Sequence, residues 1–131
     1  MYRYNPRKSP DPEMWLSIDE QERIDLVERF HRSERIHLPN IKMHAIFHAI
    51  IENQIAEQHD PVVRAMARLA TEGLSRHECI HAIAWVLAHE FYGERKSTPV
   101  DSKVFDQSRY DSAIERLSVA SWRAQAASDA E

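Results

Sequence analysis

The sequence predicts an all-helical protein, a bundle of four to five helices in up-down order with no sheet. Apolar residues recur at helical spacing through several long segments. The alternation of β-branched residues that marks strands is missing. The chain of 131 residues has only two glycines, too few for the turns of a sheet protein. Its length is sufficient for one domain with its own core.

The first two predicted helices are identified by their N-terminal residues. Ser17 and Glu20 have the spacing of a capping box, which predicts a first helix over residues 18–33. Asn40 is a favourable N-cap and predicts a second helix over residues 41–58. This second helix is apolar around most of its circumference, so we expect it at the centre of the bundle.

The third predicted helix is short. We predict that Asp60 is its N-cap and that Pro61 occupies the first helical position, where proline is favoured. Gly73 fits the left-handed residue that ends many helices. We therefore expect this helix to run from Asp60 to about Glu72.

Two more helices complete the prediction. Ser75 and Glu78 form a second capping box, which begins a fourth helix. That helix runs to about Tyr92, with Gly93 as its stop. A fifth helix over residues 107–126 has apolar and aromatic residues at helical spacing.

Three regions follow from these elements. Residues 1–12 are rich in proline and charge and form an irregular arm. Residues 13–93 form the helical core domain. Residues 94–131 contain a linker and the C-terminal helix, which we expect to pack on the core.

Composition excludes several classes of function. The net charge of −4 gives no electrostatic reason to expect a nucleic acid or an anionic membrane as partner. No apolar run approaches membrane-spanning length, and no signal peptide is expected. Scarce glycine removes phosphate-binding glycine loops. The one cysteine, Cys79, excludes an intramolecular disulfide and a Cys-rich zinc finger, so we expect a reducing, cytoplasmic setting.

Two pairs of histidines share the string His-x-x-x-His-Ala-Ile. They are His44 with His48 on the predicted second helix, and His77 with His81 on the fourth. Residues four apart are neighbours on one helix face, so each pair can present two imidazoles to a single point. If the helices alternate in direction, the second and fourth run parallel and both pairs lie in one layer. The pattern predicts a metal site inside the bundle.

The chemistry of these side chains limits which metal ions can bind. Imidazole nitrogen suits zinc and iron, whereas calcium and magnesium prefer oxygen. We therefore predict a transition-metal cofactor, with zinc favoured over iron. Candidates for a further ligand, or for a partner behind the histidines, are Glu78, Glu52 and Glu28. Glu28 precedes His31 by three residues, a spacing found in helical carboxylate metal sites, which leaves an iron- or oxygen-handling bundle open.

Residues 77–81 also match His-Glu-x-x-His, the zinc-peptidase signature. Glu78 would then be the general base, which makes it a weak catalytic candidate. Leu87 stands where the extended signature has a third histidine, and no strand is predicted to hold a peptide substrate. The capping box explains Glu78 equally well. The sequence leaves catalysis undecided and does not favour a peptidase.

A metal-free interpretation stays open beside the metal site. Buried neutral imidazoles need hydrogen-bond partners, which the same glutamates can supply in a structural network. The broad apolar surface of the second helix and the aromatic fifth helix then indicate a non-catalytic interaction module. Its simplest form is a homodimer.

Two strings also carry a resemblance. Residues 44–54 and 73–83 resemble a group of small bacterial all-helical proteins of unknown function, with HAxxHxxxENQ and GLxRHExxHAI as the shared patterns. The resemblance covers residues 12–92 and implies a bacterial origin and a helical fold, but no reaction. It further implies a common pattern that contains His44, His48, His77, His81, Asn53 and Gln54.

Overall fold

The computed structural model describes residues 2–35, 40–92 and 105–129 of the chain. Over these ranges it contains seven helices and no strand, which confirms the all-helical class with more helices than predicted. In chain order they are α1 (Pro12–Ser17), α2 (Glu20–Ser33), α3 (Ile41–Ala56), α4 (Asp60–Thr71), α5 (Arg76–Tyr92), α6 (Gln107–Arg116) and α7 (Val119–Asp129). The predicted stop at Gly93 and the linker residues 94–104 lie outside the described residues.

The capping box predicted for the first long helix is wrong. Asp19 is the N-cap of α2, and its carboxylate accepts a hydrogen bond from the Gln21 amide at 3.1 Å. Ser17 is the last residue of α1, and its hydroxyl donates to the Met14 carbonyl. Asp19, which directly precedes α2, therefore caps this helix in place of Ser17. Ser17 belongs instead to the short helix α1.

Three other helix boundaries agree with the sequence within one residue. The Asn40 side chain accepts from the Met43 amide at 3.1 Å, so the predicted cap of α3 is confirmed. At the start of α4 the cap is His59, and Asp60 is already helical. Gly73 has a φ of +107°, which confirms the left-handed stop after α4.

The predicted fifth helix is interrupted. Leu117 is extended, with φ −69° and ψ 133°, and separates α6 from α7. Ser118 and Ser121 then exchange amide-to-hydroxyl hydrogen bonds of 3.0 Å that begin the new helix. Arg68 of α4 donates to the Leu117 carbonyl, which has no helical partner at the break. Hydrogen bonds from outside the segment therefore stabilise a break that its apolar spacing does not reveal.

Helices α3 and α5 are antiparallel. The Tyr92 hydroxyl at the end of α5 donates to Met43 near the start of α3. At the opposite ends, Arg76 of α5 is paired with Glu52 of α3 at 2.8 Å. The expected parallel arrangement is wrong because it assumed that every successive helix reverses the chain. Between α3 and α5 the chain direction reverses only once, over the short helix α4 and the turns on either side of it.

Helix α3 contributes to two groups of buried apolar side chains. Phe47 and Ile51 belong to the larger group, together with residues of α4, α5, α6 and α7. Ala45 and Ala49 belong to the smaller group, together with residues of the N-terminal segment, α1 and α2. The predicted central position of this helix is therefore confirmed. Among the described helices, none has the length and apolar character needed to cross a membrane.

Two residues of α4 provide a test of this packing. Leu69 is fully buried, whereas Val63 is 40% exposed. Leu69→Ala should lower the free energy of unfolding by about 2–5 kcal/mol, because it leaves a cavity among α4, α5 and α6. Val63→Ala should change it by no more than about 0.5 kcal/mol. Urea denaturation measures both, and equal effects would contradict the assigned packing.

Candidate metal centre

Five histidines from three helices converge inside the molecule. The histidine cluster consists of His31 from α2, His44 and His48 from α3, and His77 and His81 from α5. The four histidines of the sequence pattern are thus brought together. Because α3 and α5 are antiparallel, the two pairs meet in opposite order along the chain. His44 of α3 therefore faces His81 of α5, with the ring centroids 4.6 Å apart.

The shortest contacts in the histidine cluster join Nε2 atoms. His44 Nε2 lies 3.2 Å from His31 Nε2 and 3.1 Å from His81 Nε2. His77 Nε2 lies 3.4 Å from His31 Nε2. One nitrogen from each of four rings lies within 4.8 Å of the other three, and these rings are His31, His44, His48 and His81. The nitrogens therefore surround one small volume.

The proton position on His31 follows from its backbone contact. Its Nδ1 lies 2.9 Å from the Val27 carbonyl, one turn earlier in α2. A carbonyl oxygen only accepts, so Nδ1 carries the proton. In the neutral ring, Nε2 then presents its lone pair to the cluster. This is the arrangement that a metal-binding histidine needs.

Hydrogen bonds among the rings cannot satisfy all three Nε2 contacts. His44 Nε2 carries at most one proton, and it faces two other nitrogens. If it donates to His31, its contact with His81 lacks an ordinary hydrogen bond, and the reverse also holds. If His44 Nε2 carries no proton, its lone pair faces the lone pair of His31 Nε2. A cation placed among these lone pairs removes the conflict.

Burial keeps the rings in their metal-binding form. Burial, followed by the neighbouring imidazoles, lowers the pKa of His44 and His77 to about 4 and that of His81 to about 2. The pKa of His48 is lowered well below its usual range for the same reasons. At neutral pH these side chains are therefore uncharged, and neutral imidazole is the form that binds metal.

His48 is, with His31, one of the two fully buried histidines of the cluster. Its Nε2 lies 2.8 Å from the Tyr4 hydroxyl. Its Nδ1 is buried and has no hydrogen-bond partner among the described residues. A buried nitrogen without a partner costs stability, so its presence needs an explanation. A metal ion bound at Nδ1 would provide one.

The distances also agree with metal coordination. Zinc–nitrogen bonds of about 2.05 Å place the nitrogens of a tetrahedral site about 3.3 Å apart. Within the group of four, the two contacts of His44 Nε2, at 3.1 and 3.2 Å, lie close to this value, and all four nitrogens lie within 4.8 Å of one another. The donor set, its protonation and its spacing therefore fit a transition-metal ion.

The three candidate glutamates occupy different places. Glu52 is 1% exposed and lies behind the cluster, where the Tyr4 hydroxyl connects it to His48. Glu78 is exposed and accepts from the Ser75 amide at 3.0 Å, so the predicted capping box of α5 is confirmed. Glu28 lies beside Arg32 and Lys42. Neither Glu78 nor Glu28 belongs to the group of described side chains able to hold an ion.

Two amide side chains that follow Glu52 on α3 support the packing of neighbouring helices. Asn53 accepts from the Trp15 indole at 2.9 Å and from Arg23 at 3.0 Å, which ties α1 and α2 to α3. Gln54 accepts from the Tyr110 hydroxyl of α6 at 2.7 Å. Both amides therefore stabilise the framework of the site and lie outside the histidine cluster.

Two members of the site were not predicted as such from the sequence. His31 was noted only for its spacing from Glu28, although its place at the end of α2 already put it near the start of α3. Tyr4 has no sequence signal, because it lies in an irregular segment far from the histidines along the chain.

Comparisons with protein-family models, curated proteins and solved structures give no match. The resemblance to small bacterial helical proteins stays a prediction.

The lowered pKa values predict how the metal-free protein responds to acid. Unfolded histidines take up protons below about pH 6.5, whereas folded His44 and His77, with a pKa of about 4, do not. Proton uptake therefore favours the unfolded chain, and stability should fall as the pH drops through this window. Thermal denaturation with a chelator present, followed by circular dichroism, measures the slope.

Two variants isolate the contribution of the cluster. His44→Gln should reduce the slope, because it removes a ring whose pKa is lowered by burial. Val63→Ala changes an exposed side chain that does not titrate and lies outside the cluster, and it should leave the slope unchanged. A melting temperature independent of pH across the window would contradict the burial of neutral rings.

Proposed function

We propose that the protein binds one transition-metal ion at the histidine cluster, with zinc as the preferred metal. The ligands are His31, His44, His48 and His81. His77, whose Nε2 faces His31, lies at the edge of this set as a fifth ring. The observation that carries the proposal is that His44 Nε2 lies 3.2 Å from His31 Nε2 and 3.1 Å from His81 Nε2, two contacts that the available protons cannot both satisfy.

Zinc is favoured over iron because of the donor set. Non-haem iron sites commonly combine two histidines with a carboxylate, whereas the inner group of described residues here contains imidazoles alone. Imidazole nitrogens suit zinc, copper and nickel, and zinc accepts four of them in a tetrahedron. Glu52 lies farther out, behind the Tyr4 hydroxyl that contacts His48, and its carboxylate is paired with Arg76.

The same geometry favours a structural metal over a catalytic one. Four protein ligands close a zinc site, whereas a catalytic zinc keeps one position for water. Glu78, the general base of the peptidase interpretation, instead caps α5 at the surface. An ion at this place would join α2, α3 and α5. We therefore infer that its main effect is to hold these three helices together.

Metal content tests the proposal directly. Protein purified without a histidine tag and loaded with zinc should retain about one equivalent after dialysis. His44→Gln and His81→Gln should lose most of it, because each removes a converging nitrogen. His59→Gln and His89→Gln change the same residue type outside the cluster and should retain the metal. Less than about a tenth of an equivalent in the wild type would contradict the proposal.

Zinc should also stabilise the fold. At a free concentration about 100 times the dissociation constant, binding to the folded state alone adds about 2.7 kcal/mol. The melting temperature should therefore rise by several degrees with zinc and fall again with a chelator. His44→Gln should abolish this response, and His89→Gln should retain it.

The metal-free interaction module predicts a different result. If the histidines form only a structural network, zinc and chelator leave the melting temperature unchanged. In a homodimer the melting temperature rises with protein concentration instead. A thermal scan at two protein concentrations, with and without zinc, therefore separates the two interpretations.

A further inference from the structure

The N-terminal arm, residues 2–11, reaches the back of the histidine cluster. Tyr4 is 4% exposed, and its hydroxyl contacts both His48 Nε2, at 2.8 Å, and the Glu52 carboxylate. Its ring packs against Trp15 and Phe30, with centroids 5.5 and 6.3 Å apart. The arm therefore places one buried hydroxyl between a candidate ligand and a buried carboxylate.

The proton of the Tyr4 hydroxyl points toward Glu52. Arg76 donates to both oxygens of Glu52, at 2.8 and 2.9 Å, which is the bidentate pairing of a guanidinium with a carboxylate. A carboxylate only accepts, so the third hydrogen bond at Glu52 is donated by Tyr4. The Tyr4 oxygen is then free to accept a hydrogen bond.

The direction of this bond determines which nitrogen of His48 is available. Because the single hydroxyl proton of Tyr4 goes to Glu52, His48 Nε2 must carry the proton that it donates to the Tyr4 oxygen. Neutral His48 then has its lone pair on Nδ1, the buried nitrogen that has no partner among the described residues. His31 has the opposite arrangement, with its lone pair on Nε2.

We propose that Tyr4 is a positioning residue for the metal: it selects the tautomer in which His48 binds through Nδ1, and it thereby couples docking of the arm to metal binding. This inference rests on the proposed function and adds to it the nitrogen that His48 uses and the segment that controls it. Hydrogen-bond partners of metal-bound histidines commonly orient the ring and increase its basicity.

A second contact joins the arm to the same residues. Arg76, which pairs with Glu52, also donates to the carbonyl of Pro6 at 3.0 Å. Release of the arm would therefore remove the hydroxyl from His48 and one of the hydrogen bonds of Arg76 together. Coupling between two binding events is reciprocal. Bound metal should therefore stabilise the docked arm by the same free energy by which the docked arm stabilises bound metal.

The affinity for zinc tests the positioning role. Tyr4→Phe keeps the packed ring and removes only the hydroxyl, so it should weaken zinc binding by about 10- to 100-fold in competition with a chromophoric chelator. Tyr2→Phe makes the same change two residues earlier, on a side chain that is 37% exposed, and should bind as the wild type does. Equal affinities of Tyr4→Phe and wild type would overturn the inference.

Nuclear magnetic resonance of the zinc-loaded wild type provides a measurement that needs no variant. Long-range nitrogen–proton correlations of the imidazoles should show His48 with a protonated Nε2 and a metal-bound Nδ1. His31 should show the reverse pattern. Metal at Nε2 of His48 would overturn the inference even if zinc binds with a stoichiometry of one.

Proteolysis measures the coupling to the arm. Arg7 and Lys8 are exposed, and trypsin should cut after them several-fold more slowly in the presence of zinc. Tyr4→Phe should lose most of this protection, and Tyr2→Phe should keep it. Cleavage that zinc does not affect would overturn the coupling.

The two proposals fail in different ways. A wild type without bound zinc would remove the proposed function and this inference together. A wild type that binds zinc with the same affinity as Tyr4→Phe would remove only the role of the arm.

Discussion

The site depends on one constraint, that neutral imidazole nitrogens from three helices face one another inside the protein. Lone pairs at 3.1–3.4 Å from one another need either protons or a cation between them. Burial opposes extra protons, as the lowered pKa values of His44 and His81 indicate. A divalent ion satisfies the same nitrogens without charging the rings, which is why the geometry favours a metal.

Helix α3 connects this constraint with the rest of the fold. It contributes residues to both groups of buried apolar side chains, and between them it carries His44 and His48. One turn after His48 it adds Glu52, which fixes Arg76 at the start of α5 and Tyr4 in the arm. The core and the site therefore share one helix, so a change in the packing of α3 also moves the candidate ligands.

Much of the helical framework was predictable because local residues decide where a helix begins or ends. Asn40, Gly73 and the pair Ser75–Glu78 act within one turn of their own backbone and behave as their types suggest. The break at Leu117 was not predictable, because its carbonyl is satisfied by Arg68 from another helix. The antiparallel arrangement of α3 and α5 likewise depends on packing across α4, which local spacing does not encode.

The sequence alone determined the two histidine pairs and the helix faces on which they lie, because a spacing of four residues aligns side chains on any helix. The tertiary structure decided that His31 joins them, and that Tyr4 and Glu52 lie behind His48. It also decided that His31 keeps its lone pair on Nε2, because its Nδ1 faces the Val27 carbonyl. The convergence of these side chains depends on contacts between segments far apart in the chain, and only the packing of α2, α3, α5 and the arm brings these segments together.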